Sequence, residues 1–559
     1  MAEEVGKTDV VGIAPAHDEE SIDGIEKVNA SGHVQELDRN FSLLSVCAVG
    51  IVTGNTWAAF GGSIVVSIYN GGPPGVIYEF IAVSIFYWLI AASIAELASA
   101  IPSAAGVYHW ASITGGRRHG LICGWFAGWW NFFAWIFGCA SMSSIVGNQT
   151  VQMYATFHPD FVPHKWHVFV SYLIVTWLCC CCVLFANRAL PAVNTLGLVF
   201  ILAGVFITVI VCAVMPSGNG KGYASNDFVW RDWENGTGWG SNGFVFVAGM
   251  LNGAFAVGTP DCVSHLAEEI PNPSLNVPKA IAAQMGVGFI TAFAYLVAIF
   301  YSISDVSAVL SSSSTFPLAE VYHQATGSRG GTLGLILLIF LPTFVTCIGT
   351  YLTAGRMLWT LARDDVTPFA RFLGAISPQF KNPFNATLVC GCVCTVLGCI
   401  YVGSATAFQA FVDSYVVLSS LSYFSALLPH LLSRRANIRH HGAFWMKGAV
   451  GYVVNAVSCA YIAVFAVIYC FPYSLPVSAQ NMNYSCLITG GLTLFVGAWW
   501  AWKGRSYVGP RAVVDSWALE SAGGAIVGVD VGGESAAGKL EKKGRQGEKE
   551  DLVLSEKAA

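Results

Sequence analysis

The sequence predicts an all-α, polytopic membrane protein with twelve transmembrane helices. Three observations carry that prediction. Of 559 residues, 55% are hydrophobic and only 11% charged, against about 25% charged in an ordinary soluble protein. The apolar residues fall in twelve long runs that approach or exceed the ~20 residues needed to cross ~30 Å of hydrocarbon. The basic residues between these runs gather on one side of the implied membrane.

Taken in order, the runs lie at 43–69, 75–101, 121–150, 167–186, 194–215, 242–266, 280–304, 331–360, 385–402, 408–432, 449–471 and 484–503. The ninth is short; the first, third and eighth are long enough to tilt or break. An even number of spans puts both tails on one side. Of the 28 lysines and arginines, all but four (Lys165, Lys221, Arg231 and Arg329) fall on the side of the tails. The positive-inside rule therefore places both termini in the cytoplasm, as expected of a multi-pass protein of the plasma membrane. His440 and His441, in the basic connection between spans 10 and 11, read as contacts to anionic lipid. The opposite face carries three Asn-x-Ser/Thr sequons at Asn148, Asn235 and Asn483, candidate glycosylation sites, although such tripeptides also arise by chance. It also carries an aromatic loop with Trp230, Trp233 and Trp239.

Residues 1–40 are polar, with no early apolar core of a cleavable signal, and 506–559 end in a Lys/Glu-rich stretch. Both are expected to be disordered cytoplasmic tails flanking a membrane domain at 41–505. The 17 cysteines have no regular spacing. Cys179–Cys182 are consecutive, and adjacent helical residues point about 100° apart, so the four cannot converge on one metal ion. They read as packing. No HExxH, GxSxG or clustered His/Asp set occurs in the spans, so neither an enzyme nor a metal or other cofactor is indicated, and the small net charge of −5 gives no sign of nucleic-acid binding.

Two spans carry breakers at their centres. Span 1 reads Val49-Gly-Ile-Val-Thr-Gly-Asn-Thr-Trp57, and span 6 reads Gly253, then Ala256-Val-Gly-Thr-Pro-Asp261. Pro260 lacks a backbone donor and disrupts the turn before it. Non-helical backbone at membrane depth is tolerated only where it packs on protein or lines a cavity. Interrupted helices at matching positions of two five-span halves, 43–215 and 242–432, point to a transport site between inverted repeats, with 449–503 supplying two further helices. Glycine packing seams are the alternative. Intramembrane acids are costly, and Glu96, Asp261 and Asp413 lie within or beside spans. Asp261, His265 and Glu268 follow i, i+4, i+7 spacing and share a helical face, which suits a proton relay or an inner-gate hydrogen-bond network. Glu268 and Glu269 are expected at the gate.

Five stretches make the chain resemble the amino acid–polyamine–organocation transporters, specifically the fungal amino acid/choline permease branch. They are Thr53-Gly-Asn-Thr-Trp57; Gly71-Gly-Pro-Pro74; Ala95-Glu-Leu-Ala-Ser-Ala-Ile-Pro102 with Gly106; Ala256–Asp261 continuing to His265-Leu-Ala-Glu-Glu-Ile-Pro271; and Gly355-Arg-Met-Leu-Trp-Thr-Leu-Ala-Arg-Asp-Asp-Val-Thr-Pro368. The resemblance implies a LeuT-type fold of two inverted five-helix repeats plus two C-terminal helices. It also implies alternating access, with substrate bound against the unwound parts of spans 1 and 6. Many amino acid members use Gly-x-Gly in span 1 to bind a carboxylate; here Gly50 and Gly54 are four apart, a departure that favours a choline-like solute.

A quaternary ammonium needs aromatic faces. Trp57, Phe60, Trp129, Trp130, Trp135, Phe255 and Tyr351 are candidates, although most aromatic residues in a membrane protein pack or sit in interfacial belts. The substrate-binding set expected from the breaks and these rings is Thr53, Gly54, Asn55, Trp57, Phe255, Val257, Gly258 and Tyr351. The gate and coupling set is Glu96, Asp261, His265, Glu268, Thr343 and Thr346, the two threonines offering hydroxyls to a cation or bonding to their own helix. The expected activity is uptake of a choline-like or amino acid solute, with H+ the expected coupling ion. A permease for γ-aminobutyrate or another amino acid, a transporter of another metabolite, and a non-transporting nutrient receptor on the same fold are the competing readings.

Overall fold

The computed structural model describes residues 33, 36, 37 and 39–510, apart from 313, 404–406 and 480. Most of both expected tails therefore lies outside the described residues. Twenty helical segments follow one another with no named strand among the described residues; a lone bridge joins Asn70 to Asn235.

The first predicted span forms two helices, α1 (Leu43–Gly54) and α2 (Thr56–Ile68). Ser42 caps the start, its hydroxyl accepting from the Ser45 amide. Then come α3 (Gly72–Ala100), begun by Pro73 and Pro74 where missing N–H groups are harmless, and the short α4 (Val107–Thr114). Helix α5 (Gly116–Phe157) has 42 residues, about 63 Å at 1.5 Å per residue, well beyond the hydrocarbon thickness. It is followed by α6 (Lys165–Phe185), α7 (Leu190–Gly218), α8 (Asn226–Trp230) and α9 (Asn242–Val257). The second half contains α10 (Pro273–Tyr301), α11 (Val306–Leu310), α12 (Leu318–Thr326), α13 (Arg329–Arg363), α14 (Ala370–Leu373), α15 (Phe384–Gly403) and α16 (Ala407–Leu432). Helices α17 (Gly448–Ile468) and α18 (Ser485–Lys503) close the chain.

Among the described residues, ten helical segments are long and apolar enough to cross a membrane. Two shorter apolar helices, α9 and α15, occupy the predicted sixth and ninth spans. The core runs along α5, which packs on α4, α6, α13 and α16, while α3 lies against α9, α10 and α17. The outer surface stays apolar, with Phe206, Ile290, Leu487 and Leu494 exposed, as hydrocarbon contact requires. Cys179 and Cys180 face inward and Cys181 outward, the fanning that helical geometry dictates.

Both described ends of the chain meet at one end of the bundle, termed proximal here. Phe41 donates its amide to the Glu269 carbonyl at 3.4 Å, and the Tyr507 hydroxyl bonds to that of Tyr108 at 2.7 Å. His33 reaches Asp364 at 2.8 Å. Three residues of the stretches expected as tails, His33, Leu37 and Tyr507, lie against the bundle, the last two buried, with Tyr507 packed on Trp125 and Trp500.

Candidate substrate and coupling site

The two breaks form where the sequence puts them. Helix α1 stops at Gly54, Asn55 adopts φ 26° and ψ 52°, and α2 restarts at Thr56. A positive φ is uncommon outside glycine, and asparagine tolerates it best among the other residues. Helix α9 stops at Val257; Gly258–Val263 is non-helical, and a 3-10 turn follows at Ser264–Glu269. The two breaks share a bridging residue, Gln284 on α10. Its amide nitrogen donates to the Thr259 carbonyl at 2.9 Å and to the Thr259 hydroxyl at 2.7 Å. It also lies so close to Gly54 that a Cβ there would sit 3.0 Å from it.

Asp261 is the centre of the α9 break and is fully buried. Its Oδ2 accepts from Asn131 Nδ2 at 2.7 Å and Trp135 Nε1 at 3.2 Å, both on α5, and faces His265 Nε2 at 3.2 Å. Its Oδ1 accepts from the Tyr423 hydroxyl on α16 at 2.7 Å. His265 Nδ1 lies 3.1 Å from the Ala104 carbonyl, which can only accept, so Nδ1 donates there and Nε2 faces the Asp261 carboxyl group.

Around it stand three rings. Trp135 and Tyr415 meet edge to face at 5.9 Å between centroids, and Phe255 and Tyr415 at 5.7 Å. The Tyr415 hydroxyl donates to the Gly258 carbonyl at 2.8 Å, which fixes the unwound backbone. Unpaired polar atoms also gather at the first break: Thr53 Oγ1 and Asn55 Oδ1 are buried without a hydrogen-bond partner. Buried polar atoms left unpaired cost about 1–3 kcal/mol each, so these are the atoms from which a bound solute would recover free energy.

The predicted residues divide accordingly. Thr53, Gly54, Asn55, Val257, Gly258, Asp261 and His265 lie at the breaks, with Phe255 on the last turn of α9. Trp57 points elsewhere: its buried ring packs edge-on against Tyr295 at 5.1 Å and lies over Gly204 of α7. Tyr351 also turns away, its hydroxyl bonding to Ser143 at 3.1 Å and Thr176 at 3.3 Å between α5 and α6. Thr343 bonds back to Ile339 of its own helix at 2.6 Å. Thr346 ties α13 to the break, donating to the Val52 carbonyl at 2.7 Å and accepting from Asn55 at 2.9 Å. Glu96 belongs to a separate cluster, where Arg435 at 2.7 Å, His430 at 3.2 Å and the Met446 amide at 3.0 Å surround it. Of the sequons, Asn483 is buried and bonded to the Tyr469 carbonyl, Asn148 lies inside α5 bonded to Ser144, and Asn235 is engaged with Trp239 in its loop. Asn131, Gln284, Tyr415 and Tyr423 were not singled out in the sequence. An asparagine among aromatics in mid-span was the available signal for the first; the others needed the fold.

The proximal side of the site is closed by salt bridges between the 3-10 turn and α13. Arg363 grips Glu268 through both oxygens at 2.9 and 3.1 Å. Arg356 holds Glu269 at 3.0 Å and Asn187 at 2.8 Å. The Glu268 side of the expected i, i+4, i+7 face therefore serves this closure, because the 3-10 twist turns it away from Asp261. Nearby on α4, burial pushes the His109 imidazole down to about 4, and both of its nitrogens lack partners.

Comparison with known proteins finds relatives along most of the chain. The chain matches the model of the amino acid permease family over residues 41–492. A choline transporter of Saccharomyces cerevisiae is 32% identical, over 87% of this chain and 85% of that protein. A 7-keto 8-aminopelargonic acid transporter of the same yeast is 26% identical, over 81% and 90%. A transmembrane transporter of Metarhizium robertsii is 28% identical, over 83% and 91%.

Proposed function

Because the chain belongs to the amino acid permease family, we propose that it is a secondary active transporter importing a choline-like organic cation by alternating access, in symport with protons. The halves 43–215 and 242–432 act as inverted repeats, and the proximal end, where the basic loops gather, faces the cytoplasm.

One observation carries the solute class: a buried carboxylate, Asp261, stands in the α9 break beside the rings of Trp135, Phe255 and Tyr415. Aromatic faces and a carboxylate are what a cation without N–H donors needs, at about 0.5–2 kcal/mol per well-placed ring. The name of the yeast choline transporter points the same way. Proton symport is supported by the buried contact between Asp261 and His265, two titratable groups 3.2 Å apart at the α9 break. A second reading, a solute with both amine and carboxylate, is favoured by the start of α2 at Thr56, since a helix N-terminus presents unpaired N–H groups that suit an anion.

A radiolabelled uptake panel of choline, betaine, γ-aminobutyrate and basic and neutral amino acids, at acidic and neutral external pH with and without sodium, tests the proposal. Saturable choline uptake that rises with acidity and ignores sodium is expected. Uptake confined to amino acids replaces the first reading by the second, and sodium dependence removes proton symport.

A further inference from the structure

At the end of the bundle opposite the chain termini lies a cavity of about 440 Å³, counting its open mouth. Its walls come from the loop at Thr237–Trp239, the first three turns of α9, Gln409 at the start of α16, and the segment that ends α17. None of these residues belongs to the breaks. We propose that this cavity is a second binding site, specific for the ammonium group of a small organic cation.

Three features of the wall define that chemistry. The first is aromatic: Trp239, Phe471, Tyr469 and Tyr473 all face it, Trp239 and Phe471 meeting edge to face at 6.2 Å. The second is an unmet acceptor. Asn252 lines the cavity, is 4% exposed, and its Oδ1 has no hydrogen-bond partner. The third is a pair of buried carboxyl groups behind the wall. Asp413, fully buried, accepts from Gln409 at 2.9 Å and from the Tyr473 hydroxyl, which ties both of those lining residues to it. Glu79 of α3, 2% exposed, packs its carboxyl against Gly249, one turn from Asn252, and its Oε1 is unpartnered.

Among the described residues, no lysine or arginine lines the cavity. An anion would meet ring faces and an unpaired carbonyl oxygen, with no cation. A neutral apolar molecule would leave Asn252 Oδ1 unpaired, and a metal ion would find rings in place of ligands. An alkylammonium head suits these features together, with cation–π contact to the rings, an ion–dipole contact to Asn252 Oδ1, and two carboxyl groups whose ionised form its charge would favour. A primary or secondary amine would add a hydrogen bond to Asn252. The identity of the cation as the transported solute rests on the organic-cation reading above; the site itself does not.

Equilibrium binding of radiolabelled tetramethylammonium and choline to the purified full-length protein in lipid nanodiscs tests it, alongside uptake kinetics. Wild type is expected to bind with two components. Trp239→Ala and Asn252→Leu each remove one component and raise the uptake KM about three- to tenfold with the maximal rate retained, and Trp239→Phe, which keeps a ring, restores most of the loss. 3,3-Dimethylbutan-1-ol, the uncharged carbon isostere of choline, is expected not to compete. Asp261→Asn should lose the other component and keep this one. A single component in wild type, binding indifferent to Trp239 and Asn252, or equal competition by the uncharged isostere overturns the proposal. Should the uptake panel exclude choline while tetramethylammonium still binds in a Trp239-dependent way, the organic-cation transport reading fails and this site stands.

Discussion

Replacing Asp261 by asparagine changes one atom and should separate the fold from the transport cycle. The carboxyl group makes four hydrogen bonds, accepting from Asn131 and Trp135, facing His265 Nε2 and accepting from Tyr423. An asparagine can face its oxygen to the first three and its nitrogen to Tyr423, whose hydroxyl can turn to accept. Charge-assisted bonds contribute about 1.5–3 kcal/mol and neutral ones about 0.5–1.5, so four weakened bonds lose roughly 4–6 kcal/mol. Removing a buried charge returns several kcal/mol of desolvation, which brings the net change in stability to within about 2 kcal/mol. Folding and surface delivery should therefore survive. Transport should not, because a bound ammonium loses its carboxylate and His265 loses its titratable partner. Leaving a bound cation at a buried site without its partner costs about 3–5 kcal/mol, so uptake should fall at least about 100-fold, or about 2.7 kcal/mol, and the residual rate should no longer respond to external pH. Radiolabelled choline uptake, normalised to surface protein by biotinylation, measures both. Uptake within about threefold of wild type, with its pH response intact, refutes the assignment of Asp261 to substrate and proton.

Trp57→Ala should act on stability: a ring buried between Tyr295 and Gly204 leaves a cavity worth about 3–5 kcal/mol, read as a lower thermal midpoint with KM little changed. Glu268→Gln breaks the bidentate grip of Arg363, so cysteines placed on the proximal side of the break should react faster with membrane-impermeant thiol reagents in inside-out vesicles; an unchanged rate argues against a gate. His109 makes the fold acid-sensitive with a definite sign. Burial, the largest influence, outweighs nearby Asp364 and Glu268 and holds its pKa at about 4 against 6.5 unfolded. The neutral imidazole thus leaves stability intact above about pH 6.5, and as pH falls from there towards 4 the unfolded chain takes up the proton first. The loss is on the order of 3 kcal/mol; thermal melts of His109→Gln should show a shallower decline over that window than wild type.

The interruptions in the first and sixth apolar segments were legible because Gly54-Asn55 and Gly258-Thr-Pro260 are local signals: the residues that break the helix are the residues in the break. Helix positions were legible too, since apolar length is itself the physical requirement for crossing lipid. The direction of a side chain around its helix was not. Trp57 and Tyr351 flank the right segments but point to α7 and α6, because every face of these helices is apolar and the pattern names no inner side. Glu96 was a correct signal of a buried acid attached to the wrong cluster, since its partner Arg435 lies 339 residues away. Glu79 carried the same signal near the start of the second span and drew no notice, because a single acid close to a span end resembles an interfacial residue.

The segment from Asp261 to Glu269 supplies a physical link between the site and its closure. At one end Asp261 and His265 face each other at 3.2 Å beside the aromatic rings; at the other, Glu268 and Glu269 are clamped by Arg363 and Arg356. One 3-10 turn of six residues, Ser264–Glu269, carries His265, Glu268 and Glu269 together, too short to absorb movement at one end without passing it to the other. Under the transport cycle proposed above, opening towards the proximal end would break two buried salt bridges, and each exposed charge would then regain hydration, so the cost would fall as water enters. A cation arriving beside Asp261 would compete with His265 for the same carboxyl group, weaken the anchor at His265 and free the turn to rotate. Coupling would then require no separate relay, because the group that meets the solute would be joined by a single turn of backbone to the residues bonded to α13.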